Sequence, residues 1–144
     1  MIRYLLDTDI TSQAGKQKPN KNTQTWLASV NDDELAISVI TLRERLEGAE
    51  RARQEDSPSA PDIAADVEDL ARAYEGRILP INHDAARHWA KLMVPEKSSA
   101  DDKAQLAVAA AHGLTLVTLN WKDVQGRGVS VLNPGRHPPK LYDP

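Results

Sequence analysis

Four acidic side chains stand where they could act together: Asp7, Glu44, Asp102 and Asp123. Asp7 directly follows a predicted strand, Asp123 follows one by a few residues, and Glu44 and Asp102 lie near the start of a predicted helix. In a parallel sheet these positions share the carboxyl edge, where open α/β sheets bind their ligands. Clustered carboxylates raise one another's pKa unless a cation neutralises them. Oxygen ligands of this kind suit Mg²⁺ or Mn²⁺, which also bind phosphate oxygens. The pattern predicts metal-dependent phosphate or phosphodiester chemistry.

Each acid also has a purely structural explanation. Glu44 completes the sequence Thr41-x-x-Glu44, the pattern of a helix capping box. Asp7 or Asp102 could cap the helix that follows it, and Asp123 could be a turn residue. Only the expected convergence of all four acids on one edge favours the metal site over these local roles.

Five apolar segments predict the strands that would position these acids: residues 4–6, 34–40, 77–81, 114–118 and 129–132. Helical spacing or capping patterns fall between them, at residues 9–14, 22–30, 41–53, 62–74, 83–93 and 101–111. Alternating strands and helices indicate an α/β fold with a mostly parallel sheet. Residues 54–61, with two prolines and two serines, form a hinge, and residues 120–128 form a loop. We expect a single domain over residues 1–134, followed by a proline-rich tail, residues 135–144, that is poorly ordered by itself.

Composition excludes several classes of protein. The chain has 144 residues, a net charge of −3 and no cysteine, so it has no disulfide, thiolate metal site or cysteine nucleophile. Its four histidines form no HExxH metal motif. The apolar run before Asp7 is too short for a signal peptide, and no segment approaches the ~20 apolar residues of a membrane helix. We therefore expect a cytoplasmic protein.

Five segments together carry a resemblance to a known family. They are LLDTDI (5–10), SVITLRERLEG (38–48), ILPINHDAARHWAKL (78–92), DKAQLAVAAAHGLTLVTLNWKDV (102–124) and GVSVLNP (128–134). In this order and spacing they resemble the PIN-domain ribonucleases, most closely the VapC-type toxins of bacterial toxin–antitoxin pairs. The resemblance implies a three-layer α/β/α fold with a mostly parallel sheet of about five strands and helices on both faces.

The resemblance also implies a site and a reaction. Asp7, Glu44, Asp102 and Asp123 match the family's acidic, catalytic Mg²⁺ site, for which Mn²⁺ is an alternative. Thr118 and Asn120 match the small polar residues that support the fourth acid. The implied reaction is hydrolysis of an RNA phosphodiester by metal-activated water, which leaves a 5′-phosphate and a 3′-hydroxyl.

The same resemblance implies partners. An acidic cleft repels RNA, so basic residues must hold the backbone; the candidates are Lys16, Lys18, Lys21 and Arg43, with Arg45, Arg51 and Arg53 beside it. Trp121 is the tryptophan placed to stack a base beside the site. A small VapB-type antitoxin is expected to cover the active site, with an apolar groove at the helical pair around residues 54–61. A homodimer is expected, and no membrane association.

Four positions depart from the family pattern. Position 119 is leucine where a basic residue is common, and position 9 is aspartate where asparagine is common. Lys103 and Gln105 occupy helix positions that are usually apolar.

Two alternatives remain open at this stage. Residues 7–11 read DxDxT, the nucleophile motif of haloacid-dehalogenase-like phosphatases, although the later pair Asp101-Asp102 opens a helix instead of directly following a strand. The second alternative is a PIN fold that binds RNA or proteins without cleaving anything.

Overall fold

Six short strands form one sheet in the computed structural model, which describes residues 1–144 apart from the side chain of Ala14. The strands are β1 (Tyr4–Leu6), β2 (Leu35–Ser38), β3 (Ile78–Leu79), β4 (Thr115–Val117), β5 (Val131–Asn133) and β6 (Lys140–Tyr142). Their order across the sheet is β3-β2-β1-β4-β5-β6. Neighbours are parallel except β5 and β6, which are antiparallel. The predicted α/β class with a mostly parallel sheet is confirmed.

Seven α-helices connect or flank these strands. They are α1 (Thr8–Thr11), α2 (Lys21–Ser29), α3 (Val39–Gln54), α4 (Ala60–Ala73), α5 (His83–Met93), α6 (Ala100–His112) and α7 (Trp121–Val124). Side-chain caps begin four of them, from Asp7 for α1, Asn20 for α2, Ser38 for α3 and Asn82 for α5. Gly113 ends α6 with φ +66°, a left-handed conformation that favours glycine. Within the described chain, no helix has both the length and the apolar character needed to cross a membrane.

The alternation of side chains along the strands divides the core between the two faces of the sheet. Leu5, Leu116 and Val131 point to one face, where they pack with Leu106 and Val108 of α6. Their strand neighbours point to the other face and pack with residues of α1, α2 and α4; this second cluster contains Leu6, Ile10, Trp26, Leu35, Ile37, Val117, Leu132 and Leu70. A sheet buried on both faces explains why its strands read as continuous apolar runs.

The strand order changes direction between β1 and β4. From β1 the chain builds β2 and β3 on one side, and it then returns to place β4 and β5 on the other. Leu6 is in register with Val117, and the Asp7 amide donates to the Val117 carbonyl at 2.9 Å. Residues 7 and 118 therefore leave the sheet side by side at its topological switch point, where α/β sheets form a ligand crevice.

Several predicted boundaries are wrong. Helix α3 begins at Val39 instead of residue 41, because the Ser38 hydroxyl accepts from the Ile40 amide and starts the helix earlier. The predicted loop at residues 120–128 contains α7, and the predicted hinge contains the first two residues of α4.

The sheet has six strands instead of about five, since part of the proline-rich tail forms β6. Residues Lys140–Tyr142 pair with β5, and Tyr142 also stacks on Trp121 with ring centroids 4.7 Å apart. The tail thus covers the edge strand β5, whose backbone groups would otherwise be unpaired on that side.

Candidate active site

Asp7 lies at the switch point, directly after β1, and caps α1. Its Oδ1 accepts from the Thr8 amide at 2.8 Å, and its Oδ2 accepts from the Thr118 hydroxyl at 2.9 Å. The residue is only 8 % exposed. Burial raises the pKa of Asp7 to about 7, with a further contribution from the charge of Asp9. A carboxyl group with this pKa is readily ionised when a cation approaches.

Asp9 shares the Thr118 hydroxyl with Asp7. That hydroxyl lies 3.1 Å from Asp9 Oδ2, and because it has a single proton it can donate to only one carboxylate at a time. The Leu119 amide also donates to Asp9 Oδ2, at 3.0 Å. Asp9 Oδ1 is buried and has no hydrogen-bond partner among the described residues. A free buried carboxylate oxygen is unfavourable unless a donor or cation reaches it.

Asp102, in the first turn of α6, lies across the crevice. The Asn120 side-chain amide is 3.4 Å from Asp102 Oδ2, so Asn120 links the end of β4 to α6. Partial burial raises the pKa of Asp102, and the charges of Asp123 and Asp101 raise it further. Asp123 itself is exposed, on α7.

Glu44, in the second turn of α3, belongs to the same group. Burial raises the pKa of Glu44, a hydrogen bond with Thr8 lowers it, and the charges of Asp101 and Asp102 raise it. Asp102 also raises the pKa of Asp7. The structure therefore brings all four predicted acids into one electrostatically coupled group. An open cleft of about 500 Å³ between α3 and α6 is lined by Glu44, Ser99, Ala100, Asp101 and Asp102.

The buried side-chain amide of Gln105 lies beneath the acids and contacts Asp7, Thr41 and Ser38. Gln105 on α6 is 1 % exposed; its Nε2 donates to Thr41 Oγ1 at 2.8 Å and lies 3.4 Å from Asp7 Oδ1. Its Oε1 accepts from the Ser38 hydroxyl at 2.7 Å. The Thr41 hydroxyl in turn lies 3.1 Å from that of Thr8. This network ties β1, α3 and α6 together directly under the acids, and its buried polar groups are satisfied.

The predicted Thr41–Glu44 capping box is wrong, because Thr41 lies inside α3 and its hydroxyl belongs to the buried network. Gln105, Ser38 and Thr8 have no role predicted from the sequence. The available signal was Gln105, a polar residue at a helix position where an apolar one is usual.

The residues of the crevice fit a divalent cation in chemistry and charge. The pKa values of Asp7, Asp9, Glu44 and Asp102 are all raised, mainly by burial, and Asp9 has a free buried oxygen. In the described part of the chain, no three His, Cys, Asp or Glu side chains are arranged closely enough to hold one ion directly. Mg²⁺ keeps several of its waters and binds through one or two carboxylates, so the arrangement suits a hydrated ion.

The predicted RNA-binding residues lie in different surroundings. The Arg43 guanidinium bonds Glu47 and Asp101 at 2.5 Å each, so it links α3 to α6 beside the cleft. Lys16, Lys18 and Lys21 are exposed, the first two before α2 and the third at its start. Trp121 is stacked on Tyr142, with 7° between the ring planes, so that face of its indole is not free for a base.

Comparison with known families identifies the fold. The family model described as PIN domain matches residues 4–124, which include all four acids. The chain belongs to the PIN-domain family. This PIN domain is 28 % identical over 135 residues to VapC ribonuclease Y4jK of Sinorhizobium fredii, with 90 % of the chain and 96 % of that protein covered.

Solved structures agree with this assignment. The PIN domain superposes on a chain of FitAB bound to an IR36 DNA fragment with a TM-score of 0.81 and 25 % identity, covering 92 % of this chain and 96 % of that one. It matches a chain of a toxin–antitoxin complex from Klebsiella pneumoniae with a TM-score of 0.65 and 26 % identity, covering 91 % and 97 %. The resemblance inferred from sequence is confirmed at the level of family and fold.

Proposed function

We propose that this PIN domain is a metal-dependent endoribonuclease and the toxin of a toxin–antitoxin pair. The observation that carries the proposal is the convergence of Asp7, Glu44, Asp102 and Asp123 near the switch point of the sheet, where Asp102 is coupled by charge to each of the other three acids. The relative named VapC ribonuclease supports nuclease activity. We further propose that the protein acts in the cytoplasm.

The four acids would hold Mg²⁺ or Mn²⁺, directly or through water. When bound, the ion supplies Lewis-acid activation of water and neutralises charge on the scissile phosphate. The protein supplies the positioning. The Thr118 hydroxyl holds Asp7 and Asp9, the Asn120 amide holds Asp102, and the Gln105 amide braces Asp7 from below. The chain has no cysteine, and the proposed hydrolysis requires no side-chain nucleophile.

The proposed partner is a small VapB-type antitoxin. The solved toxin–antitoxin complex from Klebsiella pneumoniae supports this assignment, since one of its chains shares the fold at 26 % identity. A mostly apolar cavity of about 350 Å³ between α1, α2 and α4, with Ile10, Leu27 and Tyr74 among its lining residues, is a suitable groove for an amphipathic segment. We also propose that the toxin is a homodimer, in keeping with its family resemblance.

RNA cleavage tests the activity. Purified protein should cut total cellular RNA at discrete positions with Mg²⁺ or Mn²⁺, and EDTA should abolish the cuts. Asp7→Asn and Asp102→Asn should each reduce cleavage about 100-fold or more, the scale for loss of a charged group at a reacting centre. Asp62→Asn, an exposed aspartate on α4, is the matched control and should cleave as wild type does.

Other outcomes would identify the alternatives. Hydrolysis of p-nitrophenyl phosphate that is lost in Asp7→Asn, without RNA cleavage, would favour the phosphatase suggested by the DxDxT letters. RNA binding without cleavage under every metal condition would favour a non-catalytic PIN module.

A further inference from the structure

Two lysines lie over the two rings of one aromatic stack, Lys122 of α7 and Lys140 of β6. Lys122 Nζ lies 5.6 Å from the centroid of the Trp121 ring, and Lys140 Nζ lies 5.7 Å from that of Tyr142. The two rings are stacked on each other. Exposed cation–π contacts of this kind attract an ammonium group weakly to the face of a ring. The pairing of β6 with β5 places Tyr142 against Trp121, so both positive charges lie beside the same pair of stacked rings at the edge of the sheet.

This edge is more basic than the chain as a whole. Residues 124–142 contain no aspartate or glutamate, although the net charge of the chain is −3. We define the α7–β6 basic surface as its four exposed cations: Lys122, Arg127, Arg136 and Lys140. Among the residues described, none of these four makes an ion pair, whereas Arg3, Arg43, Arg53, Arg72 and Lys103 do. Their charges are available to a polyanion.

The α7–β6 basic surface adjoins the acidic crevice. The charge of Arg127 lowers the pKa of Asp102, so Arg127 lies within electrostatic range of the site. Lys122 precedes Asp123 on α7. Lys140 is in register with Asn133, the last residue of β5, and therefore lies at the same carboxyl edge of the sheet as the acids.

We propose that the α7–β6 basic surface binds the phosphate backbone of single-stranded RNA and leads it into the crevice; this inference rests on the proposed ribonuclease function. An acidic crevice repels a polyanion, so attraction must come from cations beside it. Cations without protein partners bind phosphate and release the counterions of the RNA. A single strand can bend from this edge into the crevice, and a positive groove along the backbone is the usual way to hold one. The stacked rings attract the lysines, so no base stacking on them is required.

The test measures binding of RNA without cleavage. Asp102→Asn protein in EDTA is titrated into a fluorescent single-stranded RNA of about 12 nucleotides, within the usual site size. Introducing Lys122→Gln and Lys140→Gln into the Asp102→Asn protein should raise its Kd for this RNA about ten-fold. The slope of log K against log salt should fall by about 1.4, since each phosphate contact on a single strand contributes about 0.7.

Two further variants make the test specific. Arg87→Gln with Lys91→Gln removes the same charge from the exposed face of α5. This control should change Kd less than two-fold, because it alters only the net charge of the protein. Lys122→Arg with Lys140→Arg should bind as the parent does. Circular dichroism and thermal melting verify that every variant is folded.

The outcomes separate this inference from the proposed function. Suppose that wild type cleaves RNA but the lysine variant binds RNA as tightly as its parent, or no more weakly than the α5 control. The α7–β6 basic surface is then not an RNA site, and an acidic protein partner becomes the explanation for its charge. If wild type cleaves nothing yet binds RNA through the two lysines, the surface stands and the ribonuclease proposal fails. If no RNA binds to any form of the protein, both are wrong.

Discussion

Asp7 and Asp9 compete for one hydroxyl proton, that of Thr118, in a pocket that excludes most water. Burial is the main reason that the pKa of Asp7 is raised, and the charge of Asp9 is the next. Asp9 is also the position at which asparagine is more common in the resembling toxins. The additional charge therefore acts directly on the ionisation of the residue at the centre of the proposed site.

Asp9→Asn should lower the pKa of Asp7 from about 7, because the amide removes the nearest negative charge. The amide oxygen can still accept from the Leu119 amide, so the local structure should persist. The measurement is a pH titration of the Asp7 carboxyl carbon by NMR without metal. Asp123→Asn is the control, because the charge of Asp123 acts on Asp102 and should leave Asp7 unshifted. An unchanged Asp7 pKa in Asp9→Asn would show that burial alone sets it.

Helix α6 carries Asp102 and Gln105 of the site, and a buried lysine holds the loop before this helix. Lys103 is 2 % exposed; its ammonium donates to the main-chain carbonyl of Glu96 and lies 3.2 Å from the Glu96 carboxylate. The segment between α5 and α6 is thereby tied to the first turn of α6, which contains Asp101 and Asp102. An apolar residue at position 103 would pack equally well but could not make this connection.

Lys103→Met should loosen that loop without unfolding the protein. Amide hydrogen exchange at residues 94–99 should become about ten-fold faster or more, since a hydrogen bond to a charged group contributes about 1.5–3 kcal/mol locally. The global free energy of unfolding should change by less than about 1 kcal/mol, because an apolar side chain replaces a buried charge. Glu96→Gln keeps the carbonyl contact and should have the smaller effect. Equal exchange in all three proteins would contradict the role of Lys103.

For the whole molecule, the crevice makes folding depend on pH. The pKa of Asp7 is raised to about 7 by burial and by Asp9, and burial also raises the pKa values of Asp9, Glu44 and Asp102. Between the unfolded and folded pKa values, the native state binds more protons than the unfolded chain. Stability therefore falls as pH rises through this interval. Hydrogen bonds lower the pKa values of Glu50 and Glu96 to about 2. These two acids therefore titrate below the interval in which the crevice acids act.

Metal-free protein should thus be more stable at about pH 5 than at about pH 8, with most of the loss between about pH 4 and 7. Mn²⁺ should restore stability at the higher pH, because it binds the native state only. Urea unfolding in EDTA and in Mn²⁺ measures both effects. Asp7→Asn should flatten the pH dependence and weaken the response to Mn²⁺. Stability that rises from about pH 5 to about pH 8 without metal would contradict this account.

Local patterns in the sequence identified the parts of the molecule that depend on nearby residues. The apolar run before Asp7 predicted β1, and the alanine-rich segment with its following glycine predicted α6. The four acids were assigned to one edge because the carboxyl ends of parallel strands must meet there. Each of these inferences needs only the chain within one element and the general rule for parallel sheets.

The tertiary structure decided what depends on residues far apart. Residues 140–142 form a strand only because the edge of β5 is available to them, and composition alone indicated a poorly ordered tail. Gln105 meets Thr41 and Ser38 across separations of 64 and 67 residues, and Thr41 consequently belongs to a buried network instead of a helix cap. Sequence alone thus determined the family and the mostly parallel α/β sheet, and it predicted that four acids share one edge of that sheet. Long-range packing decided how those acids are braced and which cations lie beside them, since such contacts follow from the assembled surface and have no local signature.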